Sequence, residues 1–170
     1  MYLKGKIAAA AVALAAAAVA ATTLAAPAYA ATPITTKTFH NASNTGLCLD
    51  ANASNGDVGP GANVTAWPCN GGANQLWTVF DDGTIRNVSN PSLCLDANAR
   101  NGDVGNGAQV TAWPCNGGSN QKWTILGDLS IRNVSNTALC LDASAPRGFV
   151  APGANVTAWR CNGGSNQKWF

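Results

Sequence analysis

The sequence predicts an all-β fold of three equivalent units related by a pseudo-threefold axis. The first observation is a repeat at a spacing of 46 positions. Cys48, Cys94 and Cys140 each open a Cys-Leu-Asp triplet, and Trp67, Trp113 and Trp159 each stand two residues before Cys69, Cys115 and Cys161. Gln75-Leu76-Trp77, Gln121-Lys122-Trp123 and Gln167-Lys168-Trp169 close the units, so all six Cys and all six Trp belong to the pattern. A strict period of this length marks an array of one supersecondary unit. The second observation is that no segment after residue 30 has a helical period, and the Gly and Asn density opposes helix. The third is that each unit holds about four short runs rich in β-branched and aromatic residues, separated by Asn-Gly, Gly-Gly and Pro-Gly turns. A helical solenoid fails on composition, and a β-propeller typically needs at least about four blades. What remains is a β-trefoil of three four-stranded repeats with pseudo-threefold symmetry.

In chain order, Lys4 and Lys6 precede an Ala-rich apolar run, and Ala28-Tyr29-Ala30 offers small residues around a cleavage point. Residues 1–30 therefore read as a secretory signal peptide. A membrane anchor is the weaker alternative, because the run is mostly Ala and is interrupted by Thr22, Thr23 and Pro27. Residues 31–37 read as a short linker, and 38–170 as one domain with repeats at about 38–80, 84–126 and 130–170. Strand runs open the units at Thr38-Phe39-His40-Asn41-Ala42, Thr84-Ile85-Arg86-Asn87-Val88 and Ser130-Ile131-Arg132-Asn133-Val134. Further runs include Val64-Thr65-Ala66-Trp67 and Leu76-Trp77-Thr78-Val79.

The net charge of +2 rests on Lys4 and Lys6. The rest of the chain balances its remaining Lys and Arg against eight Asp, with no Glu. That excludes the basic face a nucleic-acid partner needs, and gives no reason to expect attraction to anionic membranes. No membrane insertion is expected, and a monomer is favoured. Six Cys in an exported domain imply three disulfides with fifteen possible pairings. Symmetry narrows the field: Cys48 with Cys69, Cys94 with Cys115 and Cys140 with Cys161 share one separation. Each would close a loop of about 20 residues, stabilising by about 3 kcal/mol in the chain-entropy model. Zinc is a poor fit, since the Cys are widely spaced and His40 is the only His. No calcium-type cluster of carboxylates appears, and no cofactor is expected.

The co-periodic Cys-Leu-Asp, Trp-x-Cys and Asn-Gln-x-Trp elements resemble those of the ricin-type β-trefoil lectins, over residues 38 to 170. The resemblance implies pairing of the two Cys within each unit and one shallow sugar pocket per unit. It assigns Asp50, Asp96 and Asp142 as carboxylates accepting hydrogen bonds from sugar hydroxyls. Trp67, Trp113 and Trp159 become the platforms for the sugar ring, and Asn74, Asn120 and Asn166 the amides for a further hydroxyl. Gln75, Gln121 and Gln167 complete the set as supports of the pocket. The chemistry agrees: a carboxylate makes the stronger, charge-assisted bonds, an indole covers the C–H face of a sugar, and an amide both donates and accepts.

Trp77, Trp123 and Trp169 lie in strand-like runs and read as core. Trp67, Trp113 and Trp159 could merely shield a disulfide, and the Asp of each triplet could be a turn former; their joint repetition with Asn favours a site. Asp57, Asp103, Asp82 and Asp128 read as turn residues. Six Asn-x-Ser/Thr sequons occur, at Asn41, Asn52, Asn63, Asn87, Asn133 and Asn155, and matter only in a host that glycosylates. Unit three departs from its mates: Asn-Gly-Asp-Val at 55–58 and 101–104 becomes Arg-Gly-Phe-Val at 147–150, and Pro68 and Pro114 become Arg160. The expected function is that of a secreted, extracellular carbohydrate-binding protein with up to three weak sites and no enzymatic activity. A glycosidase would need two carboxyls about 5–10 Å apart in distinct environments, and the repeat already accounts for most of the Asp. The other readings are a trefoil interaction protein, such as a protease inhibitor, and a stand-alone relative of glycoside hydrolase modules.

Overall fold

A computed structural model of the chain describes residues 30–53, 57–99, 103–146 and 148–170. The expected signal peptide, up to residue 29, and residues 54–56, 100–102 and 147 lie outside the described residues. Unit one comprises β1 (Pro33–Thr38), β2 (His40–Asn41), β3 (Asn44–Ala51), β4 (Ala62–Pro68) and β5 (Leu76–Phe80). Unit two comprises β6 (Ile85–Asn87), β7 (Leu93–Ala97), β8 (Ala108–Pro114) and β9 (Trp123–Ile125). Unit three comprises β10 (Ile131–Asn133), β11 (Leu139–Ala143) and β12 (Ala154–Arg160). A one-turn 3₁₀ segment precedes the last strand position of each unit, at Ala73–Gln75, Ser119–Gln121 and Ser165–Gln167.

Within each unit two successive strands (β3 and β4, β7 and β8, β11 and β12) form an antiparallel hairpin whose side chains alternate. In β3 and β4, Leu47, Leu49, Ala51, Val64 and Ala66 are buried in the core, while Asp50, Thr65 and Trp67 share the opposite face. Leu95 and Val110, and Leu141 and Val156, repeat the inner pattern. The outer hairpin strands β4, β8 and β12 pair with one another in a closed triangle. Trp77, Trp123 and Trp169 fill the core at 0–4 % exposure. Their indole Nε1 atoms donate to the carbonyls of Leu49, Leu95 and Leu141 at 2.8–2.9 Å. The core reading of these three residues holds.

Closure between the two ends of the domain follows the same symmetry. Asn41 bridges Trp169, and His40 and Phe170 exchange backbone hydrogen bonds of 2.9 and 3.1 Å. These are the counterparts of Trp77 with Asn87 and Thr78 with Arg86, which join units one and two. The segment from Lys168 to Phe170 is thus held by residues of β2 and by Ser130.

The segment expected as a linker is instead structured. Pro33–Thr38 forms β1, paired antiparallel with β5 from Pro33 against Phe80 to Thr38 against Leu76. Ile34, Thr35, Thr36 and Thr38 are β-branched and suit a strand. The partner lies far along the chain, from Leu76 to Phe80, so local sequence carries no sign of the pairing. Among the described residues, units two and three keep only the end of this pairing, as the bridges of Thr84 with Lys122 and Ser130 with Lys168.

The hairpin turns agree with the sequence reading. Asp82 Oδ1 accepts from the Thr84 backbone N–H, and Asp128 Oδ1 from that of Ser130. Gly83 occupies the left-handed position of the first turn at φ 82°, and Leu129 stands at the same position of the second at φ 69°. A side chain with a Cβ is strained there by about 1–2 kcal/mol. Leu129→Gly is therefore expected to raise the urea midpoint, corresponding to a stability gain of up to about 1 kcal/mol after the entropic cost of Gly. An unchanged or lower midpoint would refute the strain.

Candidate functional site

The outer face of each hairpin places the candidate residues side by side. Directly opposed pairs set the register: Cys48 with Trp67 and Asp50 with Thr65, Cys94 with Trp113 and Asp96 with Thr111, Cys140 with Trp159 and Asp142 with Thr157. Each disulfide joins the two strands at the Trp end, with Cys48–Cys69, Cys94–Cys115 and Cys140–Cys161 all spanning Cα–Cα 5.1 Å. The within-unit pairing is thus the one present.

The 3₁₀ turns then bring the amides to the carboxylates. Asp50 Oδ2 accepts from Asn74 Nδ2 at 3.0 Å and Gln75 Nε2 at 2.7 Å. Asp96 Oδ2 accepts from Asn120 and Gln121 at 3.0 and 2.8 Å. Asp142 Oδ2 accepts from Asn166 and Gln167 at 2.9 and 2.8 Å. The other carboxylate oxygen, Oδ1, accepts no hydrogen bond from the described residues, and each Asp lines an open cleft. Burial to 5–6 % exposure raises the pKa of all three carboxyls, and the Gln and Asn hydrogen bonds offset only part of that.

The two amides play different parts. Gln75 is fully buried; its Nε2 also donates to the Pro68 carbonyl and its Oε1 accepts from the Asn70 N–H. Gln121 and Gln167 repeat this, so both Nε2 protons of all three are used and the side chains are buried away from a ligand. Asn74 lines the cleft, with both Nδ2 protons used by Asp50 and the Ala51 carbonyl. Its Oδ1 is left as the acceptor. A Cβ at Gly72 would press on that oxygen, and Gly118 and Gly164 stand in the same relation to Asn120 and Asn166.

Trp67, Trp113 and Trp159 are 45–47 % exposed, although large apolar side chains usually bury. Each rests against a glycine of the neighbouring unit: Trp67 on Gly153, Trp113 on Gly61, Trp159 on Gly107. A Cβ there would meet the indole at 3.1–3.3 Å. Each cleft is thus walled by two units, a feature the sequence reading missed; the signal was the Gly two residues before each Asn/Gln-Val-Thr run. Also missed were Asn52, Asn98 and Ser144, which line the three clefts two residues after the Asp. Cleft volumes are about 600, 590 and 380 Å³ in units one to three. The third is the smallest, and it is bordered by the altered loop at Pro146 and Gly148.

Sequons at Asn41, Asn87 and Asn133 are buried, and their side chains donate to the carbonyls of Asn166, Asn74 and Asn120. They serve the fold. Among the described residues, His40 with Cys48 and Cys69 has the spacing of a metal site. Both sulfurs are consumed in the disulfide, so the group lacks the thiolates a metal would use. His40 stacks on Phe170 at 5.6 Å and lines none of the three clefts.

Three buried carboxylates, each beside a half-exposed indole, repeat on a threefold all-β trefoil frame. The chain belongs to the family described as the ricin-type beta-trefoil lectin domain, whose profile matches residues 35–169. Its fold supports carbohydrate binding. The chain superposes on a designed 3-fold symmetric protein, ThreeFoil, with TM-score 0.66 and 28% identity, over 79% of this chain and 95% of that one. The β-trefoil lectin of the Vibrio vulnificus hemolysin/cytolysin, solved with N-acetyl-D-lactosamine bound, gives TM-score 0.62 and 27% identity over 79% of this chain and 91% of that one. The hemolytic lectin CEL-III gives TM-score 0.66 and 24% identity over 81% of this chain, which spans only 30% of its length. No curated protein matches the chain in sequence.

Proposed function

We propose that this protein is a secreted, non-enzymatic lectin whose three clefts bind sugars of galactose or xylan type, one per unit. The observation that supports this most directly is the Asp–Trp pair: a carboxylate held by two amides through Oδ2, with Oδ1 unpartnered beside an exposed indole. A sugar hydroxyl supplies the donor that Oδ1 lacks, and its C–H face covers the indole. N-acetyl-D-lactosamine in the Vibrio vulnificus relative supports a galactose-type ligand here. The Asp50, Asp96 and Asp142 clefts are open and make few contacts, so single-site affinity is about millimolar. Simultaneous engagement of a polysaccharide raises apparent affinity by about 10²–10⁴-fold.

Trp67→Ala combined with Trp113→Ala is expected to remove retention on immobilised xylan or galactosylated resin, with the circular dichroism spectrum unchanged. Both indoles lie outside the core, so the fold has little to lose. Retention equal to that of the wild-type protein would refute the reading.

A further inference from the structure

Resting on the lectin reading above, we propose that site one carries a second sugar subsite that sites two and three lack. It is formed across the β4–β12 junction by Asn63, Thr65 and Asn155. Site one would then take an oligosaccharide, and the other two a single terminal sugar.

The register creates the juxtaposition. Asn155 of unit three pairs with Thr65 and Ala154 with Ala66. Side chains of a strand alternate, so Asn63, Thr65 and Trp67 share the outward face while Val64 and Ala66 are buried. Asn63 and Asn155 line the same cleft as Asp50 and Trp67. The row therefore continues away from the indole as a strip of two amides and a hydroxyl, fed by two different units.

The amides are also free. Neither Asn63 nor Asn155 makes a side-chain hydrogen bond among the described residues, and both are exposed. Their counterpart Gln109 is committed: its Nε2 donates to the Val110 and Val156 carbonyls, each at 3.2 Å. Gln109 faces Thr157 of site three across β8 and β12. Site three thus has no free amide at this position, and its cleft is smaller, 380 against 600 Å³. The cleft of site two is as roomy at 590 Å³. It receives Asn63 opposite Thr111 from the neighbouring unit, but its own strand carries the committed Gln109, so two free amides meet only at site one. A primary amide both donates and accepts, so an uncharged pair of them suits the hydroxyl or acetamido groups of a second sugar.

The test uses the full chain carrying Asp96→Ala and Asp142→Ala, which leaves site one alone. Calorimetry compares xylose with xylotetraose, and galactose with N-acetyl-D-lactosamine. The expected result is that one oligosaccharide binds about tenfold tighter than its monosaccharide, as two added hydrogen bonds allow. Adding Asn63→Ala and Asn155→Ala should abolish that gain and leave the monosaccharide Kd within about twofold. Equal affinity for monosaccharide and oligosaccharide, or an equal loss of both in the double variant, would overturn the subsite alone. No binding of any of the four sugars, with retention on immobilised glycan also lost, would overturn the lectin reading and the subsite with it.

Discussion

Replacing Asp50, Asp96 and Asp142 together with asparagine is expected to abolish retention on immobilised glycan at neutral pH while leaving the fold as stable as before. The two outcomes separate because each carboxylate oxygen has its own task. Oδ2 holds Asn74 and Gln75 in unit one, and their counterparts in units two and three. An asparagine carbonyl can accept the same two bonds, so the internal network survives. What changes is the outward atom, from an ionised acceptor to an amide donor. Hydrogen bonds to a charged group contribute about 1.5–3 kcal/mol each. Losing even one is expected to take a site of the proposed millimolar affinity below detection.

The pH dependence carries the same signature. Burial raises these carboxyls above the ordinary value of 3.8, against the partial opposition of the Gln and Asn hydrogen bonds. The folded chain therefore holds more protons than the unfolded chain between the two pKa values. Stability falls as pH rises through that window and stays lower at neutral pH. The three sites thus cost the protein stability in their ionised state. On acidification, affinity should decline at a pH above 3.8 while the contribution of these groups to stability recovers. An affinity that stays flat to pH 3.8, or an asparagine variant that elutes with the wild type, would exclude the carboxylates from binding.

Reduction of the three disulfides is expected to unfold the domain at room temperature. Each closes a loop with a sequence separation of 21. Closure of this length stabilises by about 3 kcal/mol. Three together reach about 9 kcal/mol, within the whole net stability of about 5–15 kcal/mol expected of a native domain. They also tie the two hairpin strands together beside the exposed Trp67, Trp113 and Trp159, where apolar burial is scarce. Urea denaturation with and without a phosphine reductant, followed by tryptophan fluorescence, measures the effect. A midpoint lowered by less than about 3 kcal/mol in total would mean that the sheet needs no staples.

Much of this architecture is legible in the residues themselves. The alternation of Leu47, Leu49 and Ala51 with Cys48 and Asp50 assigns one face to the core and the other to the cleft. Two tryptophans per unit separate by context: Trp77, between strand residues, is buried, and Trp67, beside a disulfide and a Gly-rich loop, is exposed. Both rest on local spacing, which strand geometry converts directly into sidedness. Strand β1 was not legible, because its partner β5 is fixed by long-range pairing. Nor was the burial of Gln75, whose hydrogen bonds reach Asp50 on one strand and Pro68 and Asn70 beyond the end of another.

The sequence by itself determined the threefold frame, the set of residues on each hairpin face and the equivalence of the three units, because a strict repeat imposes equal local geometry. Only the tertiary structure decided how one unit completes the next. Gly153 beneath Trp67, Asn155 in the cleft of Asp50, and His40 against Phe170 depend on the triangle of β4, β8 and β12 and on the closure of the chain ends. Those contacts join residues roughly a hundred positions apart. Their register is set by packing about the shared axis, which no local pattern encodes.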